Sequence, residues 1–116
     1  VTPTKFSSKV KNLHRPIVLE KAGTYDYEGT LHIWKGDGLC NVFGSSTAAI
    51  VIRADGVSVK NFGVKGVPVG VAIMDKEDGG YRKGVSLENL EVKSCFTPLA
   101  LPKRSVGISI KESILE

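Results

Sequence analysis

Residues 57–65 (VSVKNFGVK) and 85–93 (VSLENLEVK) share an apolar pattern and the place of one asparagine, Asn61 in the first and Asn89 in the second. An apolar triplet precedes each, Ile50-Val51-Ile52 and Val71-Ala72-Ile73. A third triplet, Leu99-Ala100-Leu101, precedes the related run Ile108-Ser109-Ile110-Lys111-Glu112-Ser113-Ile114-Leu115. A unit recurring every roughly 20 to 30 residues marks a repeat architecture and constrains the fold more than any single segment does. Val57 and Val59, like Val85 and Leu87, alternate with Ser58, Lys60, Ser86 and Glu88, the period of a strand with one buried face. Such a strand needs partners for its N–H and C=O groups, and equivalent strands from successive repeats supply them at about 4.8 Å spacing. The expected fold is all-β, a parallel solenoid.

Asn61 and Asn89 each precede a bulky apolar residue, Phe62 or Leu90, which breaks the alternation by one step and places a bend there. Asparagine tolerates the left-handed conformation and its amide bonds neighbouring backbone, so the two are expected to form a turn ladder. In the third run the matched position is Glu112, followed by Ser113, and the ladder either ends there or the run is to be aligned from Val106 instead. The alignment from Ile108 keeps the Ser/Lys agreement and is preferred. The whole chain, residues 1–116, reads as one domain. Residues 1–14, with Phe6, Val10 and Leu13 at helical spacing, are expected to form a short N-terminal capping helix. Residues 16–47 are expected to form an irregular first coil and loop, and residues 48–116 the regular coils. Asp75–Gly84 (DKEDGGYRKG) is an insertion, and solenoid insertions project from one face, often the binding face. No cap is evident at Ile114-Leu115, so either a partner covers that end or the native chain continues.

A length of 116 residues with 41% apolar content suits one folded domain. No run approaches the roughly 18 apolar residues of a membrane span, so no membrane partner is expected. The net charge of +4 favours anionic partners such as acidic polysaccharide. The basic residues are scattered, without an Arg-rich tract or an aromatic-interleaved stripe, which makes nucleic acid an unlikely partner. Cys40 and Cys95 fit neither a zinc pattern nor a redox pair; two buried thiols and one disulfide are both open readings.

The order Ala22–Gly29 (AGTYDYEG), Gly36–Gly38 (GDG) and Asp55–Asn61 (DGVSVKN) resembles the right-handed parallel β-helix of pectate lyases and their relatives, including phage tailspike and virion domains. The resemblance spans most of residues 16–95 and implies a right-handed β-helix of about four coils. It also implies Ca²⁺ as a cofactor if the chain is a lyase, because those enzymes hold Ca²⁺ with carboxylates in a DGIH-like and an EDA-like segment. Here the equivalent places read Val69-Gly70-Val71-Ala72-Ile73 and Ser94-Cys95-Phe96-Thr97-Pro98-Leu99, without a carboxylate in either. A hard cation needs several oxygen ligands together, and elimination needs the substrate carboxylate neutralised beside a base. The sequence departs from the lyase pattern where the chemistry resides.

No catalytic and no metal-ligating residue is therefore expected, and no cofactor outside the lyase alternative. The candidate binding residues are Asp75, Asp78, Tyr81 and Arg82 of the insertion, with Lys60 and Lys93 on the polar strand face. Acids crowded in a Gly-rich loop are more often solvated than ligating. Asp26 and Glu28 have the spacing of any polar strand face, so a glycosidase pair is a weak reading. Tyr25, Tyr27, Trp34 and Tyr81 are able to stack on sugar rings, although packing explains Trp34 equally well. The reading is a non-catalytic β-helical structural or interaction module, extracellular or virion-associated, that binds itself or a larger protein assembly. The alternative is a pectate-lyase-like polysaccharide lyase or an acidic-glycan-binding domain.

Overall fold

The computed structural model describes residues 9–36, 47–94 and 96–116. Its strands are β1 (Val10–Leu13), β2 (Ile17–Leu19), β3 (Gly23–Trp34), β4 (Ala48–Ile52), β5 (Val57–Lys65), β6 (Val69–Ile73), β7 (Arg82–Lys83), β8 (Ser86–Glu88), β9 (Glu91–Lys93), β10 (Thr97–Ala100), β11 (Ser105–Val106), β12 (Ser109–Lys111) and β13 (Ile114–Leu115). The described residues are all-β, and every strand pairing among them is parallel. One sheet runs β1-β3-β5-β8-β12, with β9 on β5 and β13 on β9. A second runs β10-β6-β4-β2, and β11 pairs with β7 in a third.

The repeats pair with one another in the register their sequences share. Ser58, Val59 and Lys60 lie opposite Ser86, Leu87 and Glu88, which lie opposite Ser109, Ile110 and Lys111. The third run therefore aligns from Ile108, and Val106 pairs with Lys83 instead. The apolar triplets form the second sheet, Ile50-Val51-Ile52 between Ile17-Val18-Leu19 and Val71-Ala72-Ile73, with Leu99 and Ala100 beyond. The residues facing inward from both sheets are sealed from solvent: Val57, Val59, Phe62, Val64, Val85, Leu87, Leu90 and Val92 from one, Ile50, Ile52, Val71 and Ile73 from the other. Each such side chain contributes about 1.5–3 kcal/mol of burial, which is what holds strands of three to nine residues in place.

The capping helix expected over residues 1–14 is corrected where the chain is described. Val10–Leu13 is a strand, paired with Leu31–Trp34, and Lys35 N donates to Leu13 O at 2.8 Å. Helical spacing of Val10 and Leu13 was an incomplete guide, because the open edge of β3 offers these residues backbone partners that an isolated helical turn lacks. Residues 1–8, the larger part of that segment, lie outside the described residues, as do Cys40, Cys95 and most of the loop between β3 and β4.

The asparagine ladder is present, and it has a particular length. Asn61 (φ 55°) and Asn89 (φ 51°) are both left-handed. Asn89 Nδ2 donates to Asn61 Oδ1 at 2.9 Å, and Asn61 Nδ2 donates to Asp26 Oδ1 at 2.9 Å. At the next rung Glu112 keeps the conformation (φ 50°) without an amide, and Ser113 Oγ accepts from Leu90 N at 3.2 Å. Asn89 Oδ1 is left buried with no partner among the described residues. Glu112→Asn is expected to add about 1 kcal/mol, by suiting the left-handed backbone and by donating to that oxygen. A urea midpoint that rises at unchanged slope is the check; a midpoint at or below the parent's shows that amides do not stack to this rung.

Candidate functional site

After β6 the chain leaves the second sheet as Met74–Tyr81 and returns through β7, and what shapes this loop is a buried cation. Arg82 is only 5% exposed. Its Nε donates to Met74 O at 2.9 Å, Nη1 to Asp55 Oδ1 at 3.2 Å and Nη2 to Asp75 O at 3.3 Å. A planar guanidinium with several donors in fixed directions can gather two carbonyls and a carboxylate at once. The loop is thereby folded back on the Asp55 turn. Asp55 also accepts from Lys83 N at 3.1 Å and from Lys76 Nζ at 3.5 Å. The Lys83 N–H is the main reason its carboxyl lies below the usual range, against a smaller opposing effect of burial and with help from the charge of Lys76 and the hydrogen bonds of Arg82 and Lys76.

Within the loop, Asp78 Oδ1 accepts from Gly80 N at 2.8 Å, an Asx turn that shapes the tip. Asp75 Oδ1 accepts from Lys103 N at 2.6 Å, and Arg104 Nη1 donates to Gly79 O at 3.0 Å. These bonds tie the loop to the turn after β10. Between them lie two adjoining open clefts. One, of about 600 Å³, is lined by Arg53, Met74, Asp75, Lys76, Glu77, Asp78 and Arg82; the other, of about 290 Å³, by Asp75, Lys76, Gly79, Gly80, Lys103 and Arg104.

The structure thus brings Asp75, Asp78 and Arg82 to one place and gives each a partner within the chain. Tyr81 is 54% exposed beside them. Lys60 and Lys93 are not among the residues lining either cleft. Lys60 stands in an alternating column, Asp26, Lys60, Glu88 and Lys111 on successive strands, with its Nζ 3.6 Å from Glu88. Lys93 Nζ is 3.9 Å from Glu91. Exposed pairs of this kind contribute about 0–1 kcal/mol each and leave the side chains able to exchange partners. Trp34 is buried at 8% exposure and is withdrawn from any sugar-stacking surface, and Tyr25 donates its hydroxyl to Lys21 O at 2.8 Å.

Sequence reasoning missed Asp55, Lys76, Lys103 and Arg104. Asp55 is visible in the sequence only as part of a coil-forming motif. Lys103-Arg104 is a basic pair that becomes informative once the register of β10 on β6 places it beside the loop. Chemically, the clefts offer point charges of both signs and backbone carbonyls, an arrangement for contact with a polar partner surface. Among the described residues no three His, Cys, Asp or Glu side chains gather as a metal-ligand group. Comparison with protein-family models, with curated proteins and with solved structures finds no match.

Proposed function

We propose that the chain is a right-handed parallel β-solenoid of about four coils and serves as a non-catalytic structural or interaction module. In this reading it belongs to a virion or extracellular surface assembly and binds copies of itself or a larger protein assembly. One observation carries the proposal. The last row of strands, β10, β12 and β13, is paired on one side only, and while Leu99 and Leu115 still pack against the core, two of its core-directed positions stand in solvent. Ile110 lies over the fully buried Leu87 yet is 44% exposed, and Leu101, one step past Ala100 opposite Ala72, is 58% exposed. A parallel edge with free N–H and C=O groups and an apolar face accepts further strands.

Light scattering across a concentration series tests this. The parent protein is expected to self-associate or to bind its assembly, and Ile110→Lys, a change at an exposed position, is expected to remain folded and to shift the population to monomer. A parent that stays monomeric at every concentration and binds no assembly overturns the reading. So does release of unsaturated uronate from acidic polysaccharide, abolished by chelator, which would establish the lyase alternative.

A further inference from the structure

A separate polar cavity of about 220 Å³ lies on β1 and β3, lined by Lys11, Asp26, Tyr27, Glu28, Thr30 and His32. It exists because β3 departs from the repeat. Between the paired positions Asp26↔Lys60 and Thr30↔Phe62, β5 carries the single residue Asn61, whereas β3 carries Tyr27, Glu28 and Gly29. A bulge of this kind re-aims side chains. Glu28 is held at φ 56°, in the left-handed region that a glutamate rarely adopts, and its N–H donates to Asp26 Oδ1 at 2.8 Å.

The cavity is built around a buried imidazole. His32 is 8% exposed. Its Nδ1 lies 3.3 Å from Gly63 O, an atom that can only accept, so Nδ1 carries a proton, and in the tautomer this bond selects Nε2 is the acceptor. The ring stacks on Phe62 at 5.2 Å and meets the Tyr27 ring edge-on at 6.1 Å, while Tyr27 packs against Phe62 at 5.0 Å. The three rings lock one another. Asp26 Oδ1 is occupied by Asn61 and Glu28 N–H, which leaves Oδ2 unassigned.

We propose that this cavity binds one uncharged sugar ring, whose hydroxyls donate to Asp26, Glu28 and His32 Nε2 and accept from Lys11 and Tyr27. The lining decides the class. Two carboxylates against one ammonium disfavour a uronate or a phosphate, and Lys11 disfavours a cationic ligand. An apolar ligand would take water from Asp26 Oδ2, the Glu28 carboxylate and His32 Nε2 and give nothing in return. The volume is below the roughly 300–1,000 Å³ of sites for drug-sized molecules and suits a single ring. The proposal is independent of the assembly reading and names an uncharged sugar in place of the acidic one implied by the resemblance.

The test is a titration followed by ¹H–¹³C NMR at His32 Cε1 and the Tyr27 ring. The probes are the methyl glycosides of glucose, galactose, mannose and N-acetylglucosamine, with galacturonate as the charged comparison. Saturable shifts at both residues are expected with at least one neutral glycoside, and galacturonate is expected to bind at least about tenfold more weakly. Glu28→Gly, which suits the left-handed backbone and so leaves the thermal midpoint no lower, is expected to weaken binding about tenfold, the loss of one charge-assisted hydrogen bond. Lys11→Ala at the exposed rim gives a second measure, also expected to bind more weakly. Absence of a saturable shift with all four glycosides overturns the proposal, as does galacturonate binding equally or more tightly, or both variants binding as the parent does.

Discussion

Gly70→Ala is expected to destabilise the protein by about 3 kcal/mol or more, a drop of roughly 10–15 °C in thermal midpoint for a domain of this size. Gly70 lies in β6, whose residues Val69, Val71 and Ile73 are buried, and a methyl group added there would collide with Val92 Cγ1 and with the backbone oxygen of Pro98. The valine could turn its side chain aside. The carbonyl cannot yield alone, because Pro98 sits between Thr97 and Leu99, which pair with Val69 and Val71. Making room means lifting β10 from the sheet, which exposes Leu99 and breaks the pairing. Urea unfolding of the variant is the check. A cost below about 1 kcal/mol would mean that β10 is far less firmly seated than its register implies.

Asn61→Ala is expected to cost about 3 kcal/mol from two separable causes. Alanine at φ 55° pays a steric penalty of about 1 kcal/mol that asparagine largely avoids. The remainder comes from the ladder: Asp26 loses a donor, and Asn89, whose Oδ1 already lacks a partner, loses the acceptor for its Nδ2. Asn61→Gly removes the ladder while keeping the conformation, so it is expected to recover about 1 kcal/mol relative to alanine. Comparing the two in the same denaturant titration separates backbone strain from hydrogen bonding. Equal losses would assign the whole effect to the amide, and a glycine variant as stable as the parent would show the ladder to be worth nothing.

Much of the strand pairing was legible before any coordinates. Ser58, Ser86 and Ser109 lie opposite one another because three segments repeat an alternation whose inward members are apolar, and a slip by one residue would turn Val59, Leu87 and Ile110 outward. The repeat even extends one residue earlier than its apolar pattern suggests. Gly84, at φ 67°, begins the second unit as Gly56 and Gly107 begin the others, since the turn into each strand needs the left-handed conformation.

The candidate site was legible only in outline. Asp75, Asp78 and Arg82 were visible as a charged insertion, but an arginine beside a tyrosine in a Gly-rich loop reads as solvated. Its burial follows from three oxygens, two nearby in the chain and one, on Asp55, reached only when β7 is laid beside the preceding turn. The cavity at His32 was less visible still, because it depends on two extra residues in β3 relative to its neighbour β5.

From the sequence alone came the all-β character, the inward set of Val57, Val59, Val85 and Leu87, and the left-handed bends at Asn61 and Asn89, because periodicity and backbone preference are local properties that each segment carries. Tertiary structure alone decided that Val10–Leu13 is a strand, that Gly70 admits no side chain, that Arg82 is buried and that Glu112 adopts a conformation it does not itself favour. Each of those depends on what a neighbouring strand or turn presents a few ångströms away, and at least one such partner arrives from a part of the chain 20 or more residues distant.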